Sequence, residues 1–205
     1  MAAPITHVVL AAKVFDKYFQ DKKRKDFFVG TLFPDIRYLK VIDRDKTHFG
    51  DLSIVDLQND DSFLAGVKFH SIIDVVREKF IVDNNIYSLC PQSKYITQSL
   101  KLLEDQLFYS HVPNWSEYID YLNEILPNQS YFEVAKNDVR KWYHVLQQYF
   151  QVPPTYQTAI GFARSIGLPE EVTQEINENI VAMKANKKIV EILENLYKNI
   201  DQLLK

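Results

Sequence analysis

The chain has 205 residues, of which 46% are hydrophobic and 25% are charged, so it is long enough to bury one sizeable core. Its formal net charge of -3 gives no overall attraction to nucleic acid or to an anionic membrane. The single cysteine, Cys90, excludes an intramolecular disulfide and a cysteine-based metal cluster, and it favours a reducing compartment.

Helical periodicity dominates the sequence. Only five glycines occur, and apolar residues recur at three- and four-residue spacing over most of the length. These features predict an all-α, single multi-helix domain. The pattern is compatible with a subdivision into a helical domain over residues 1–150 and a C-terminal helical segment over residues 151–205, which we expect to pack on the same domain.

The N-terminal segment predicts a first helix over residues 5–20, with His7 in its first turn. Its apolar run lacks a preceding basic region, and Lys13 and Asp16 interrupt it too early for a signal or a membrane span. We therefore expect a cytoplasmic protein, or one exported without a cleavable N-terminal signal. The basic run DKKRKD at 21–26 favours a solvated turn between helices over a phosphate-binding patch.

The second helical run ends at a proline. Pro34 disfavours helical geometry at the residue before it, which places Asp35 at a change of chain direction. Residues 40–61 have weak periodicity and predict a long loop with short helical pieces, within which His48 lies. Long ordered loops in compact domains often have a function. A strong helix is predicted next, over residues 61–80.

Further helices are predicted in the second half of the chain, at about 93–110, 115–126, 130–150 and 154–166. The last of them ends at Gly167, which suits a left-handed cap, and Pro169 follows soon after. From Glu170 an apolar stripe continues towards the C-terminus, but KANKK at 184–188 interrupts it. The interruption is compatible with two helices or with one helix that lies partly clear of the core.

The helix predicted over residues 61–80 carries ionisable groups on a stripe that otherwise belongs to the core. His70 and Asp74 lie one turn apart on one face, and Glu78 lies one turn further on. Burial of such groups is costly unless hydrogen bonds, an ion pair or a metal compensates for it. By itself, the pair is more typical of a structural hydrogen bond or ion pair than of a metal site.

The main chemical signal is a set of five residues in the first half of the chain: His7, Asp35, His48, His70 and Asp74. Imidazole and carboxylate groups suit Zn²⁺ and related transition ions. Three of the five lie at a helix start, a break or a loop, where side chains can converge without disrupting a regular core. The set predicts a metal site.

Four short segments occur in an order that is characteristic of a known family: THVVLAAKVF (6–15), FFVGTLFPDI (27–36), KTHF (46–49) and FLAGVKFHSIIDV (63–75). They resemble the zinc-dependent phospholipase C and single-strand nuclease superfamily, in particular phospholipase C-like bacterial proteins. The resemblance covers the N-terminal part of the chain and implies an all-α fold around a zinc cluster. It further implies that one ion is held by Asp35, His48, His70 and Asp74, and that Asp74 bridges to a second ion that His7 also binds.

Two parts of the family pattern are missing from the sequence. Family enzymes use the amino group and carbonyl of an N-terminal tryptophan as ligands, whereas Met-Ala-Ala-Pro stands before His7 here. They also carry a further histidine and a second H-x₃-E or H-x₃-D pair. Glu78, Glu104, Asp105 and His111 are candidate substitutes, and Glu104 and His111 share a helix face. Glu104 is equally well explained as a solvated side chain. His111 is equally well explained as a residue at a helix C-terminus, where the helix dipole favours it.

The resemblance and the chemistry of such sites imply hydrolysis of a phosphodiester, with two zinc ions as the expected cofactor. Asp35 would act both as a ligand and as a general base. Arg37 and Lys46 are candidate contacts to a substrate phosphate, although each suits a surface cation as well. A phospholipid and a single-stranded nucleic acid both remain candidate substrates, and no stable membrane span is expected.

A second function class is also open. An interaction or effector-type protein could keep the same helical scaffold with a partial metal site and use its C-terminal helices as a surface for a protein partner. The missing second-site histidines and the interrupted stripe near KANKK favour this alternative. Helical HD-type phosphohydrolases are excluded, because they require an adjacent His-Asp doublet and the sequence contains none.

Overall fold

The computed structural model describes residues 2–205 and shows an all-α architecture, with no β-strand in that range. Its α-helices are, in chain order, α1 (Pro4–Tyr18), α2 (Arg24–Leu32), α3 (Arg44–Thr47), α4 (Ser62–Asp83), α5 (Ile96–Phe108), α6 (Trp115–Tyr121), α7 (Lys136–Phe150), α8 (Tyr156–Ser165), α9 (Glu170–Ala185) and α10 (Lys187–Leu203). Short 3₁₀-helices lie between them at Pro34–Leu39, Ile54–Leu57, Ile86–Leu89, Tyr109–His111 and Pro127–Phe132. The all-α fold class predicted from periodicity and low glycine content is confirmed.

The hydrophobic core contains buried residues from the whole length of the chain, including those of the C-terminal helices. Helix α9 packs against α5, where Asn179 donates a hydrogen bond of 3.2 Å to the Ser99 hydroxyl. Helix α10 packs against α1, where the Lys17 ammonium and the Asp201 carboxylate lie 2.7 Å apart. Residues 151–205 therefore contribute to the same core as the N-terminal helices.

Helices α2 and α4 approach each other closely because each has a glycine at their crossing. A Cβ atom at Gly30 would overlap the carbonyl oxygen of Phe63, and one at Gly66 would overlap the carbonyl oxygen of Phe27. Such an approach of one backbone to another requires residues without a side chain. The crossing brings the C-terminal end of α2 alongside the turn of α4 that contains His70.

Some predicted helix bounds are wrong. The helix predicted over 130–150 begins at Lys136, because residues Pro127–Phe132 form a separate 3₁₀-helix and Glu133 has a left-handed backbone with a φ of 51°. A positive φ at a residue other than glycine interrupts an α-helix. The helix predicted over 115–126 ends at Tyr121, a few residues before Pro127.

Helix α4 is longer than predicted and continues past residue 80 to Asp83, where Asn85, with a φ of 52°, ends it. At the C-terminal end, KANKK separates two helices, α9 and α10. The sequence had left open whether this region forms two helices or one, and the structure has two. Asn186 adopts an extended backbone there, and its side chain accepts a hydrogen bond from the Lys188 N–H as the cap of α10.

Two further predictions are confirmed. Gly167 has a φ of 81°, the left-handed conformation expected after α8. The segment 40–61 is a long connection with short helical pieces, at Arg44–Thr47 and Ile54–Leu57. Within residues 2–205, each helix is too short or too polar to cross a membrane.

Candidate metal centre

Five side chains from four separate elements meet at one buried position. His7 comes from the first turn of α1, Asp35 from the 3₁₀-helix Pro34–Leu39, His48 from the residue after α3, and His70 and Asp74 from α4. None of the five is more than 9% exposed. The structure thus brings together the residues that the sequence singled out, and we call them the His/Asp cluster.

The His/Asp cluster contains two overlapping groups that could hold a metal ion. One consists of His7, His70 and Asp74, and the other of Asp35, His48 and His70. Within each group, the candidate ligand atoms all lie within 4.8 Å of one another. His70 belongs to both groups, and its Nδ1 atom lies 2.9 Å from the carbonyl oxygen of Thr31.

The three imidazoles are arranged around the carboxylate of Asp74. Its Oδ1 atom lies 3.4 Å from Nε2 of His7, and its Oδ2 atom lies 3.6 Å from Nε2 of His48 and 3.8 Å from Nε2 of His70. These separations exceed the usual range of a hydrogen bond. Two ligand atoms on a tetrahedral zinc ion, each about 2.1 Å from the metal, are about 3.4 Å apart. The spacing therefore fits ligands around a cation better than direct hydrogen bonds.

The orientation of two imidazole rings is set by contacts outside the His/Asp cluster. Nδ1 of His70 faces the Thr31 carbonyl, and Nδ1 of His48 lies 3.0 Å from the Thr47 hydroxyl. Their Nε2 atoms are buried without a hydrogen-bond partner in the described part of the chain. Histidines that bind metals typically use one nitrogen in this way and the other as the ligand, so the geometry fits a metal ion.

Burial disfavours the charged form of two imidazoles of the His/Asp cluster, those of His48 and His70. It lowers the pKa of His48 to about 4 and that of His70 well below its ordinary value. Burial alone would raise the pKa of Asp74, but the imidazoles of His7 and His70 outweigh that effect and lower it. Burial raises the pKa of Asp35. Neutral imidazoles beside an ionised carboxylate are the protonation states that bind a divalent cation.

The backbone before α1 also reaches the His/Asp cluster. The N–H of Ala2 donates a hydrogen bond of 2.6 Å to Oδ1 of Asp74, and both Ala2 and Ala3 are buried. The resemblance left this segment without a role, because it lacks the tryptophan of the family pattern. Its alanines carry no sequence signal for such a contact.

Two of the candidate additional ligands contact an arginine instead of the His/Asp cluster. The carboxylate of Glu104 accepts hydrogen bonds from Nε and Nη2 of Arg77 at 2.5–3.1 Å, and both side chains are fully buried. Glu78 accepts a hydrogen bond of 3.0 Å from Nη1 of Arg77 and one of 2.7 Å from the Tyr87 hydroxyl. We call these four residues the Arg77 ion-pair cluster.

The other two candidate additional ligands lie elsewhere. His111 stacks on Tyr197 with ring centroids 3.9 Å apart, and its Nε2 atom lies 3.3 Å from the Glu194 carboxylate. Asp105 accepts hydrogen bonds of 2.7 Å from both the N–H and the hydroxyl of Thr6. Asp105 thereby holds the first turn of α1, which carries His7, and no feature of the sequence pointed to that positioning role.

A cleft of about 270 Å³ opens beside the His/Asp cluster, and its lining includes Asp35, Arg37, Tyr38 and Lys101. Nη2 of Arg37 lies 3.4 Å from Oδ1 of Asp35. Lys46, the other candidate phosphate contact, lines a separate depression. Sequence reasoning missed Lys101, because a lysine within a helical pattern normally reads as a solvated side chain.

In comparisons with known proteins, no protein-family model, no curated protein and no solved structure matches the chain. The two groups within the His/Asp cluster could hold a metal ion.

Proposed function

We propose that this chain is a zinc-dependent phosphodiester hydrolase of the phospholipase C-like type. One observation carries the proposal: the buried Nε2 atoms of three histidines surround the carboxylate of Asp74 at 3.4–3.8 Å, too far for hydrogen bonds and suitably spaced for metal ligands. A donor set of imidazole nitrogens and carboxylate oxygens suits zinc better than calcium or magnesium.

The proposed arrangement has two ions that share Asp74. Asp74 would help to hold one ion together with Asp35, His48 and His70, and would help to hold a second ion together with His7. His70 can serve one ion only, because its Nδ1 atom is engaged with the Thr31 carbonyl. The first position thus has four protein ligands and the second has two, so we expect the first to bind its ion more tightly.

A divalent ion held here would make a water molecule more acidic and stabilise negative charge on a phosphoryl oxygen. The protein's own contribution centres on Asp35, which is buried at the border between the His/Asp cluster and the cleft. A carboxylate in that position can orient the attacking water and accept its proton.

Metal analysis and a generic substrate test the proposal together. The purified protein, loaded with zinc and dialysed, is expected to retain one to two ions per chain and to hydrolyse bis-p-nitrophenyl phosphate. Parallel assays with Mn²⁺ and Ca²⁺ test the choice of metal. Phosphatidylcholine, single-stranded DNA and RNA then separate a phospholipase from a nuclease.

An Asp35→Asn variant provides the decisive comparison, since it keeps the shape of the side chain and removes its charge. We expect its turnover to fall at least about a hundredfold. Asp201→Asn is the matched control, because Asp201 pairs with Lys17 on the surface between α1 and α10. Equal activities of the two variants would mean that the turnover comes from a contaminant or from another site.

A non-catalytic interaction protein with a partial metal site is the second candidate. The observation that favours it is the engagement of Glu78 and Glu104 with Arg77 and of His111 with Glu194, which leaves the second ion few protein ligands. Full zinc occupancy without turnover on any of the substrates would make this the better assignment. Near-zero metal content would favour it as well.

A further inference from the structure

The cleft beside the His/Asp cluster is lined by two chemically different sets of residues. The polar set includes Asp35, Arg37 and Lys101. The apolar set comes mainly from α8, α9 and the connection between them, where Phe162, Ala163, Ile166, Leu168 and Ile176 line the cleft. Residues 151–205, to which the sequence assigned no chemistry, thus form one wall next to the candidate metal centre.

Lys101 is the unusual residue of the polar set. It is only 6% exposed, yet its ammonium group makes no hydrogen bond and no ion pair with any side chain in residues 2–205. Most of the side chain is buried, whereas its ammonium group is accessible from the cleft, where a ligand could contact it. Asp35 is the acidic group that acts most strongly on Lys101, but the two do not form an ion pair.

Arg37 adds a second cation to the polar set. Its guanidinium lies over the Tyr38 ring, 4.4 Å from the ring centroid, and next to the Asp35 carboxylate. These contacts fix the position of the guanidinium before any ligand binds. A fixed guanidinium and an ammonium group that line the same cleft are suited to the oxygens of a phosphoryl group.

The size of the cleft limits what accompanies the phosphoryl group. A volume of about 270 Å³ lies at the small end of ligand-binding pockets. It accommodates a phosphate and one compact apolar group, such as an aryl ring or a short alkyl chain.

We propose that this cleft binds phosphate esters that carry a compact apolar substituent, with Lys101 and Arg37 on the phosphoryl oxygens and the wall of α8 and α9 against the substituent. The inference rests on the proposed function, because it takes the cleft as the substrate site of that hydrolase. Lys101 is then a substrate-binding residue, and the C-terminal third of the chain determines substrate preference.

Calorimetric binding of phenylphosphonate tests the inference without turnover, because its carbon–phosphorus bond is not hydrolysed. Inorganic phosphate and methylphosphonate are the comparison ligands, and each is titrated into the zinc-loaded and the chelator-treated full chain. We expect phenylphosphonate to bind at least about tenfold more tightly than the other two, because its ring buries apolar surface against α8 and α9.

Two variants separate the two sets of lining residues. Lys101→Met keeps a side chain of similar length and removes the charge at the end of a largely buried side chain, so the protein should fold at least as stably while its affinity for all three ligands falls at least about tenfold. Leu168→Ser should abolish the preference for phenylphosphonate and leave the affinity for inorganic phosphate unchanged. Lys184→Met and Val181→Ser, both on the exposed side of α9, are the matched controls.

The results distinguish this inference from the proposed function. Binding that depends on Lys101 supports the inference even if no substrate is turned over. Hydrolysis by the Lys101→Met variant at the wild-type KM and kcat would overturn the inference, but it would not contradict the proposed hydrolase function. Absence of phenylphosphonate binding from both the zinc-loaded and the chelator-treated protein would also overturn it.

Discussion

Helix α4 contributes to two buried polar clusters that differ in how their ionisable groups are compensated. His70 and Asp74 belong to the His/Asp cluster, and Arg77, one turn further along, is the centre of the Arg77 ion-pair cluster. Both clusters place ionisable groups where a core would normally be apolar. The difference lies in whether the protein itself satisfies those groups.

In the Arg77 ion-pair cluster, the protein does so. Each nitrogen of the guanidinium donates to a carboxylate, at 2.5–3.1 Å, from either Glu104 or Glu78. In the His/Asp cluster, the Nε2 atoms of His48 and His70 have no hydrogen-bond partner within the residues that the structure describes. A cluster that satisfies its own polar groups needs no ligand, whereas one with oriented but unpartnered nitrogen lone pairs could hold a cation.

The largest expected effect is on the stability of the Arg77 ion-pair cluster. Glu104→Ala should lower the free energy of unfolding by about 3–5 kcal/mol, because it leaves the Arg77 guanidinium buried without its main partner. Urea denaturation measures the loss. The double variant Arg77→Met/Glu104→Met should recover most of it, since no buried charge remains. A loss below about 1 kcal/mol would contradict the structural role of the pair.

The second effect concerns the His/Asp cluster, which should gain stability from metal. Zinc at a hundred times its dissociation constant should raise the free energy of unfolding by about 2.7 kcal/mol in wild-type protein. His70→Ala should abolish most of that increment and remove at least one bound ion. His144→Ala, which changes an exposed histidine of α7, is the control. An unchanged metal content in His70→Ala would contradict the assignment of His70 as a ligand.

The third effect is a dependence of stability on pH in the metal-free protein. The pKa of His48 is lowered to about 4, so the unfolded chain binds more protons than the folded chain between about pH 4 and the pKa of an unperturbed histidine, about 6.5. Stability should therefore fall as the pH falls through that window, by on the order of 1–2 kcal/mol after allowance for solvent screening.

The His48→Asn variant isolates this contribution, because asparagine does not titrate. Urea denaturation of the metal-free protein at several pH values should give a shallower slope for His48→Asn than for wild type. His144→Ala should retain the wild-type slope. Identical slopes for all three proteins would mean that His48 is not held neutral by burial.

The smallest expected effect is at the edge of the Arg77 ion-pair cluster. Tyr87 is half-buried, and its hydroxyl donates a hydrogen bond of 2.7 Å to Glu78. Tyr87→Phe should cost about 1 kcal/mol or less, because water can replace the lost hydrogen bond to the partly exposed carboxylate. Metal content should not change, since the Tyr87 hydroxyl bonds to Glu78 and not to a residue of the His/Asp cluster. A loss of zinc in this variant would show that the clusters are coupled.

The sequence alone was sufficient to predict the all-α fold class and the five residues of the His/Asp cluster. Periodicity indicated the helices, and the residue types at 7, 35, 48, 70 and 74 indicated ligand chemistry. Helix ends were less predictable, because residues such as Asn85 and Glu133 adopt left-handed backbones that carry only a weak sequence signal. The interruption of the apolar stripe at KANKK was visible in the sequence. Its pattern did not indicate whether the interruption separates two helices.

Tertiary structure decided which charged residues belong to which cluster. Glu78 and Glu104 fitted the metal site by spacing, yet Arg77 takes both carboxylates, and spacing along a helix does not report which side chain from another helix arrives opposite it. For the same reason, the sequence did not reveal the contact of Asp105 with the first turn of α1 or the position of Lys101 in a cleft that residues of α8 and α9 also line. Local sequence determined the elements and the supply of ligand groups, and long-range packing determined which groups are satisfied and which are left for a ligand.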